Sequence, residues 1–200
     1  MAIQFPLNIR FKLMAFAPRM FVTDVNGDDV CYVSQKVMRL KEDIQVFTDD
    51  TRSKEIYRIK ADRIMDFSAT YHFSESESRR TFGAVKSKGW RSIWRATYEV
   101  LDANENETHR IQEVNPWVKV GDALVSQIPF VNMFTGYFLH PKYAAYNSKT
   151  EQPVMQLNKE AGFFEGRYSV EKLDANLTTD EERRILLSFM LMVQFMRRRG

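Results

Sequence analysis

The sequence contains one cysteine, three histidines and eight glycines in 200 residues, and these scarcities exclude several kinds of protein. With Cys31 alone, no disulfide can form within the chain, which favours a reducing compartment. The histidines are scattered and no Cys-x-x-Cys pair occurs, so no metal site is predicted. A glycine-rich phosphate loop and a Gly-x-Ser-x-Gly motif are also missing. We therefore expect a non-enzymatic protein with no cofactor and no bound metal.

The N-terminal segment lacks the charged start, the long apolar run and the cleavage site of a signal peptide. It alternates instead, with Ile9, Phe11 and Leu13 on one face and Arg10 and Lys12 on the other. This alternation predicts a strand with one solvent-exposed face. We expect a cytoplasmic protein that can associate peripherally with membranes.

A β-rich run, a polar turn and a second β-rich run recur four times in the first half of the sequence. The acidic turn residues are Asp24, Asp49, Glu75 and Asp102, which are 25 to 27 residues apart. One hairpin per fixed period indicates a meander, a barrel or a propeller. After a connection with a short helix near 122–127, further strands are predicted at 143–146, 154–158 and 163–172.

An apolar segment near the C-terminus predicts a buried helix. Thr178 with Glu181, or Thr179 with Glu182, has the spacing of a capping box. From residue 185 to residue 196, ten of twelve residues are apolar, and a helix that is apolar all round must be buried on all sides. Twelve helical residues span only about 18 Å of the roughly 30 Å that a bilayer core requires. A core helix at about 179–197, enclosed by a closed sheet of hairpins, is therefore favoured over a membrane anchor.

The hairpins with Asp-rich turns and the apolar C-terminal helix together resemble the Tubby C-terminal-like superfamily. Within it, the LURP-one-related and phospholipid scramblase proteins are the most similar. The segments that carry the resemblance are 21–33, 60–64, 71–94, 115–119 and 173–199. The resemblance implies a single domain over residues 1–200, built as an antiparallel β-barrel of about twelve strands around the hydrophobic helix. It also implies binding of anionic phospholipid or phosphoinositide head groups by Lys and Arg side chains on the barrel.

The segment from residue 78 to residue 98 contains six basic residues, two tryptophans and no acid. Basic residues attract anionic lipid by about 1 kcal/mol each near a membrane surface, and tryptophan prefers the membrane–water boundary. We therefore predict that this segment binds anionic phospholipid, unless it is a solvated face with its tryptophans packed into the barrel. The predicted ligand-binding residues are Arg79, Arg80, Lys86, Lys88, Arg91 and Arg95, and the predicted interfacial aromatics are Trp90 and Trp94.

Two other functions remain open from the sequence: a soluble protein-interaction scaffold, and a small-molecule or enzymatic role in a pocket at the barrel mouth. The net charge is only +3 and no RNA-binding signature occurs, so a nucleic-acid partner is not expected. Asp102, Asn104 and Asn106 loosely follow a calcium-binding loop, but Glu107 occupies the position that requires glycine. A hairpin turn is predicted there instead.

Overall fold

A computed structural model describes residues 3–12, 19–35, 43–63, 69–88, 97–114, 142–160 and 165–198. Within these ranges the chain forms twelve strands and one helix. They are β1 (Leu7–Lys12), β2 (Arg19–Thr23), β3 (Asp29–Gln35), β4 (Asp43–Phe47), β5 (Glu55–Ala61), β6 (Thr70–Glu75), β7 (Thr81–Lys88), β8 (Thr97–Leu101), β9 (Glu107–Glu113), β10 (Lys142–Asn147), β11 (Pro153–Glu160), β12 (Glu165–Lys172) and α1 (Thr179–Arg198). The short helix predicted near 122–127 lies outside the described residues.

Each strand pairs with its neighbours in sequence, and β1 also pairs with β12. Every pairing is antiparallel; Ile9, for example, lies opposite Val22 on β2 and Tyr168 on β12. The sheet is therefore a closed barrel with no free edge among its strands, as predicted.

The barrel interior is filled by apolar side chains from the strands and from α1. Leu7, Ile9 and Phe11 are buried while the residues between them are exposed, which is the predicted alternation for β1. Every helix residue from 184 to 194 is buried, as expected for a helix surrounded on all sides. The predicted limits of 179–197 agree with α1 to within one residue. Across the described ranges, no helix combines the length and hydrophobicity that crossing a bilayer requires.

The hairpins that follow β2, β4, β6, β8 and β10 are built alike. In each, the strand register shifts near the turn, which marks a bulge. Each turn also contains one residue with positive φ, and these residues are Gly27, Arg52, Arg79, Glu105 and Glu151. The first four hairpins confirm the predicted repeats. The fifth was not recognised as a repeat, because its turn begins at Asn147 rather than at an acidic residue.

The two ends of the barrel carry different connections. The five hairpins lie together at one end, named here the turn end, and α1 begins there, with Asp180 3.8 Å from Arg80. The opposite end, named the rim, is where β1, β3, β5, β7, β9 and β11 terminate. Helix α1 runs towards the rim, where the ring of Phe195 packs 5.2 Å from the ring of Tyr71. The rim and the turn end are therefore two spatially separate surfaces at opposite ends of the barrel.

Candidate functional site

Strand β7 divides the predicted basic segment between the two ends of the barrel. Arg79 and Arg80 precede the first residue of β7 at the turn end, whereas Lys86 and Lys88 lie at its rim end. Six residues of extended chain separate Arg80 from Lys86, a distance of about 20 Å. The structure therefore does not bring these four residues to one place. The other predicted residues, Arg91, Arg95, Trp90 and Trp94, lie outside the described residues.

Arg80 is already engaged by acidic side chains at the turn end. Its Nη2 donates a hydrogen bond of 2.9 Å to Oε1 of Glu75, and its Nη1 lies 3.8 Å from Asp180 on α1. The hydrogen bonds from Arg80 and from the Ser78 hydroxyl hold the pKa of Glu75 below its usual range. Arg80 thus links the β6–β7 hairpin to the start of the helix.

Lys86 is exposed on the outer wall near the rim. It lies opposite Thr70 on β6 and Glu99 on β8, and it forms no ion pair with any described residue. Glu99 itself is buried, and Glu107 accepts 2.9 Å hydrogen bonds from Arg110 and Ser148. The charge of Lys86 is therefore available to a ligand.

Lys86 belongs to a wider set of exposed basic residues at the rim ends of the strands. These rim cations are Lys12, Arg19, Lys60, Lys86, Lys142 and Lys159. None of the six forms an ion pair within the described part of the chain, although Lys12 lies 5.1 Å over the ring of Phe21. Their grouping was not predicted from the sequence, because they come from six different strands. The sequence signal that could have identified the rim cations is a basic residue at or near the rim end of each of these strands.

Two acidic residues of the rim are neutralised by arginines. Arg58 donates hydrogen bonds of 2.7 and 2.6 Å to the two carboxylate oxygens of Asp43, which raises the pKa of the guanidinium. Arg63 pairs with Asp62 at 3.2 Å. Because these carboxylates already have partners, they compete less with an incoming anion for the rim cations.

The turn end is acidic, and its carboxylates hold the turns. Asp24 accepts backbone hydrogen bonds of 2.8 and 3.0 Å, and Asp102 accepts two of 2.8 and 2.9 Å. The hydrogen bond from the backbone of Asn106 is the main reason that the pKa of Asp102 lies below its usual range. The β8–β9 connection is therefore a hairpin turn, as predicted. Within the described ranges, no three His, Cys, Asp or Glu side chains are grouped to hold a metal ion.

A second basic feature lies on the outer wall, where β1 meets β12. A cavity of about 310 Å³, named here the seam groove, opens between β1, β2, β11 and β12. Its polar lining consists of Asn8, Arg10, Thr23, Glu160 and Arg167. Arg10 was predicted to lie on an exposed face, but the groove itself was not predicted, because it depends on closure of the barrel.

The buried titratable side chains of the barrel wall include Cys31 and His109. Burial, followed by the charge of Asp29, raises the pKa of the Cys31 thiol to about 12, so this thiol is not a nucleophile at neutral pH. His109 is fully buried, its Nδ1 lies 3.0 Å from the Thr108 hydroxyl, and its Nε2 has no hydrogen-bond partner among the described residues. Burial is the main cause that lowers the pKa of His109.

Comparison with known proteins leaves the family open. No protein-family model matches this chain, and no curated protein matches it. The X-ray structure of a protein from Arabidopsis thaliana is similar at 10% identity and a TM-score of 0.48, covering 96% of this chain and 90% of that one.

Proposed function

We propose that this chain is a non-enzymatic binding module that recognises anionic phospholipid head groups at a membrane surface. The observation that carries the proposal is the set of six exposed rim cations, none of which is paired with a described acid. Each such cation near an anionic bilayer contributes about 1 kcal/mol of attraction. Lys86, Lys88, Arg91 and Arg95 from the predicted segment belong to this rim or follow from it along the chain.

We also propose membership of the Tubby C-terminal-like superfamily, on the side of the LURP-one-related and phospholipid scramblase proteins. The support is architectural: a closed barrel of twelve antiparallel strands surrounds one apolar C-terminal helix. Binding of head groups by basic side chains on the barrel is what that resemblance implies.

The separation of charge along the barrel supports an orientation for binding. Carboxylates that hold the hairpins concentrate at the turn end, and unpaired lysines concentrate at the rim. An anionic surface attracts the rim and repels the turn end, so the barrel approaches it rim first. The attraction weakens as salt shortens the Debye length, which is about 8 Å at physiological ionic strength.

The sequence of the connections adds an apolar component. The three tryptophans of the chain are Trp90, Trp94 and Trp117, and they occur in the connections from β7 to β8 and from β9 to β10. Both connections leave from the rim. Tryptophan is favoured at the membrane–water boundary, so its position in the sequence agrees with contact at the rim.

The test is co-sedimentation of the full chain with phosphatidylcholine vesicles, with and without phosphatidylserine, at low and physiological salt. We expect binding only to the anionic vesicles and weaker binding at the higher salt. The informative variant combines Lys86→Gln, Lys88→Gln and Arg91→Gln. Losing three cations should weaken binding by roughly 100-fold, because each contributes about 1 kcal/mol and 1.4 kcal/mol is tenfold.

A matched control removes three exposed cations from the turn end. It combines Lys54→Gln, Arg79→Gln and Lys149→Gln, so the net charge falls equally. Vesicle binding of this control should remain within about twofold of the unmodified chain. Equal losses in both triple variants would contradict binding through the rim. Absence of binding to any vesicle would contradict the lipid proposal and favour the protein-interaction scaffold.

A further inference from the structure

The seam groove places two arginines directly opposite each other. Arg10 on β1 is the register partner of Arg167 on β12, and both side chains are exposed on the outer wall. Glu160 on β11 is the register partner of Arg167 on its other side, yet it lies beyond ion-pair distance from either arginine. Like charges that face each other across a strand pair destabilise a sheet. The arrangement therefore favours an anion between the guanidinium groups.

The polar side chains of the groove have no partners among the described residues. Neither arginine, nor Glu160, nor the side chains of Asn8 and Thr23 make a hydrogen bond or an ion pair with any described residue. Arginine presents a planar fork of donors that matches the oxygens of phosphate. Two such forks from adjacent strands, both lining a cavity of about 310 Å³, can hold a phosphate dianion together with a small attached group.

We propose that the seam groove binds a phosphate monoester of a small hydroxylated compound. Arg10 and Arg167 hold the phosphate oxygens, and the Glu160 carboxylate accepts a hydrogen bond from a hydroxyl of the ligand. The Asn8 amide and the Thr23 hydroxyl supply the remaining polar contacts. A carboxylate beside two arginines selects against a bare anion and in favour of one that carries hydroxyl groups.

This site is separate from the rim cations, and its test does not depend on the proposed function. Arg10 lies two residues from the rim end of β1, or about 7 Å along the strand. A lipid head group can therefore reach the groove when the rim faces a membrane, and a free phosphate ester can reach it from solution. The two sources share one chemistry, and separate arms of the experiment distinguish them.

The solution arm measures binding of glycerol 3-phosphate to the full chain by isothermal titration calorimetry, with inorganic phosphate and glycerol as comparison probes. We expect glycerol 3-phosphate to bind most tightly and glycerol not to bind. Arg10→Gln and Arg167→Gln should each weaken binding by about tenfold, since each removes a charge-assisted contact. Lys149→Gln, an exposed change at the turn end, should leave it unaltered. Glu160→Gln should remove the preference for glycerol 3-phosphate over inorganic phosphate.

The membrane arm compares vesicles that contain phosphatidic acid, whose head group is a phosphate monoester, with vesicles of equal charge that contain phosphatidylserine. A preference for phosphatidic acid that disappears in Arg10→Gln and Arg167→Gln, without binding of glycerol 3-phosphate, assigns the site to lipid head groups. Binding of glycerol 3-phosphate that both variants lose assigns it to soluble esters. The proposal is overturned if neither probe is preferred, or if the preference persists in both arginine variants. Both variants also remove like-charge repulsion, so an unchanged or raised midpoint of thermal unfolding will show that they remain folded.

Discussion

Gly83 has only a hydrogen atom as its side chain, and this leaves the room that α1 needs inside the barrel. A Cβ at this position would collide with the side chain of Arg184 and would lie 2.6 Å from the carbonyl oxygen of Leu101. Arg184 in turn donates a 3.2 Å hydrogen bond from Nη1 to the carbonyl oxygen of Phe82. Gly83→Ala should therefore lower the free energy of unfolding by about 3 kcal/mol, because the neighbouring backbone cannot move aside without loss of packing. Equilibrium unfolding in urea measures this change.

Gly27 provides the matched control for that substitution. Its φ of +85° is left-handed, but a Cβ there meets nothing within 4 Å. Gly27→Ala should cost only the backbone strain, about 1 kcal/mol. A Gly83→Ala loss no larger than the Gly27→Ala loss would show that Arg184 does not pack against β7.

The positions of the basic residues in the sequence did not predict which of them share a surface. Residues 79–95 contain one basic run in the sequence, but extended strand β7 separates Arg79 and Arg80 at the turn end from Lys86 and Lys88 at the rim. Arg10 and Arg167 lie near opposite ends of the sequence and become neighbours only through the β1–β12 register. Sequence reasoning found the exposed face of β1, but it had no means to determine which strand closes the barrel against it.

At the scale of elements, the hairpins and the helix were predictable because their signals are local. The acids at positions 24, 49, 75 and 102 mark the predicted turns, and in the structure Asp24 and Asp102 accept hydrogen bonds from turn amides. The bulges beside these turns were not predicted. No particular residue type marks them in the sequence, because four of the five positive-φ positions are occupied by arginine or glutamate rather than by glycine.

The capping box of α1 gives a prediction at this scale. The Thr178 hydroxyl donates 2.6 Å to Oε2 of Glu181, the Thr178 amide donates 2.9 Å to the same oxygen, and the Glu181 amide donates 3.3 Å to the Thr178 hydroxyl. Thr178→Ala should lower the free energy of unfolding by about 1 kcal/mol. Thr178→Ser retains the hydroxyl, so its free energy of unfolding should lie close to that of the unmodified chain. Chemical denaturation at pH 7 compares the three proteins, and equal stability of the alanine variant would mean that the cap contributes nothing.

At the scale of the whole molecule, the closed barrel follows from two sequence features, the apolar helix and the repeated hairpins. A helix that is apolar on every face requires a surrounding sheet, and repeated antiparallel hairpins supply one with no exposed edge. The difference in charge between the two ends of the barrel was not predicted. It arises because the first residues of one strand lie beside the last residues of the next strand at the same end of the barrel. Hairpin turns need acidic and amide side chains, so those residues gather at the turn end; most of the exposed lysines lie at the rim, while Lys54 and Lys149 lie at the turn end.

The dependence of stability on pH tests the buried interior and the acidic turn end together. Burial lowers the pKa of His109, so this side chain stays neutral in the folded barrel. In the unfolded chain its pKa has the ordinary value of about 6.5, so the imidazole binds a proton when the pH falls below that value. Stability should therefore fall as the pH drops below 6.5, with a slope of at most about 1.4 kcal/mol per pH unit.

A second loss should follow at lower pH. Hydrogen bonds from Thr51 and Arg80 lower the pKa values of Asp49 and Glu75, so the stability contributed by these ionised carboxylates is present above about pH 4.5 and is lost below it. The variant His109→Leu separates the two phases. It removes the titratable imidazole, so unfolding free energies measured between pH 5 and 6.5 should become nearly independent of pH, whereas the carboxylate phase persists. An unchanged slope between these pH values in His109→Leu would place the titrating group elsewhere in the barrel.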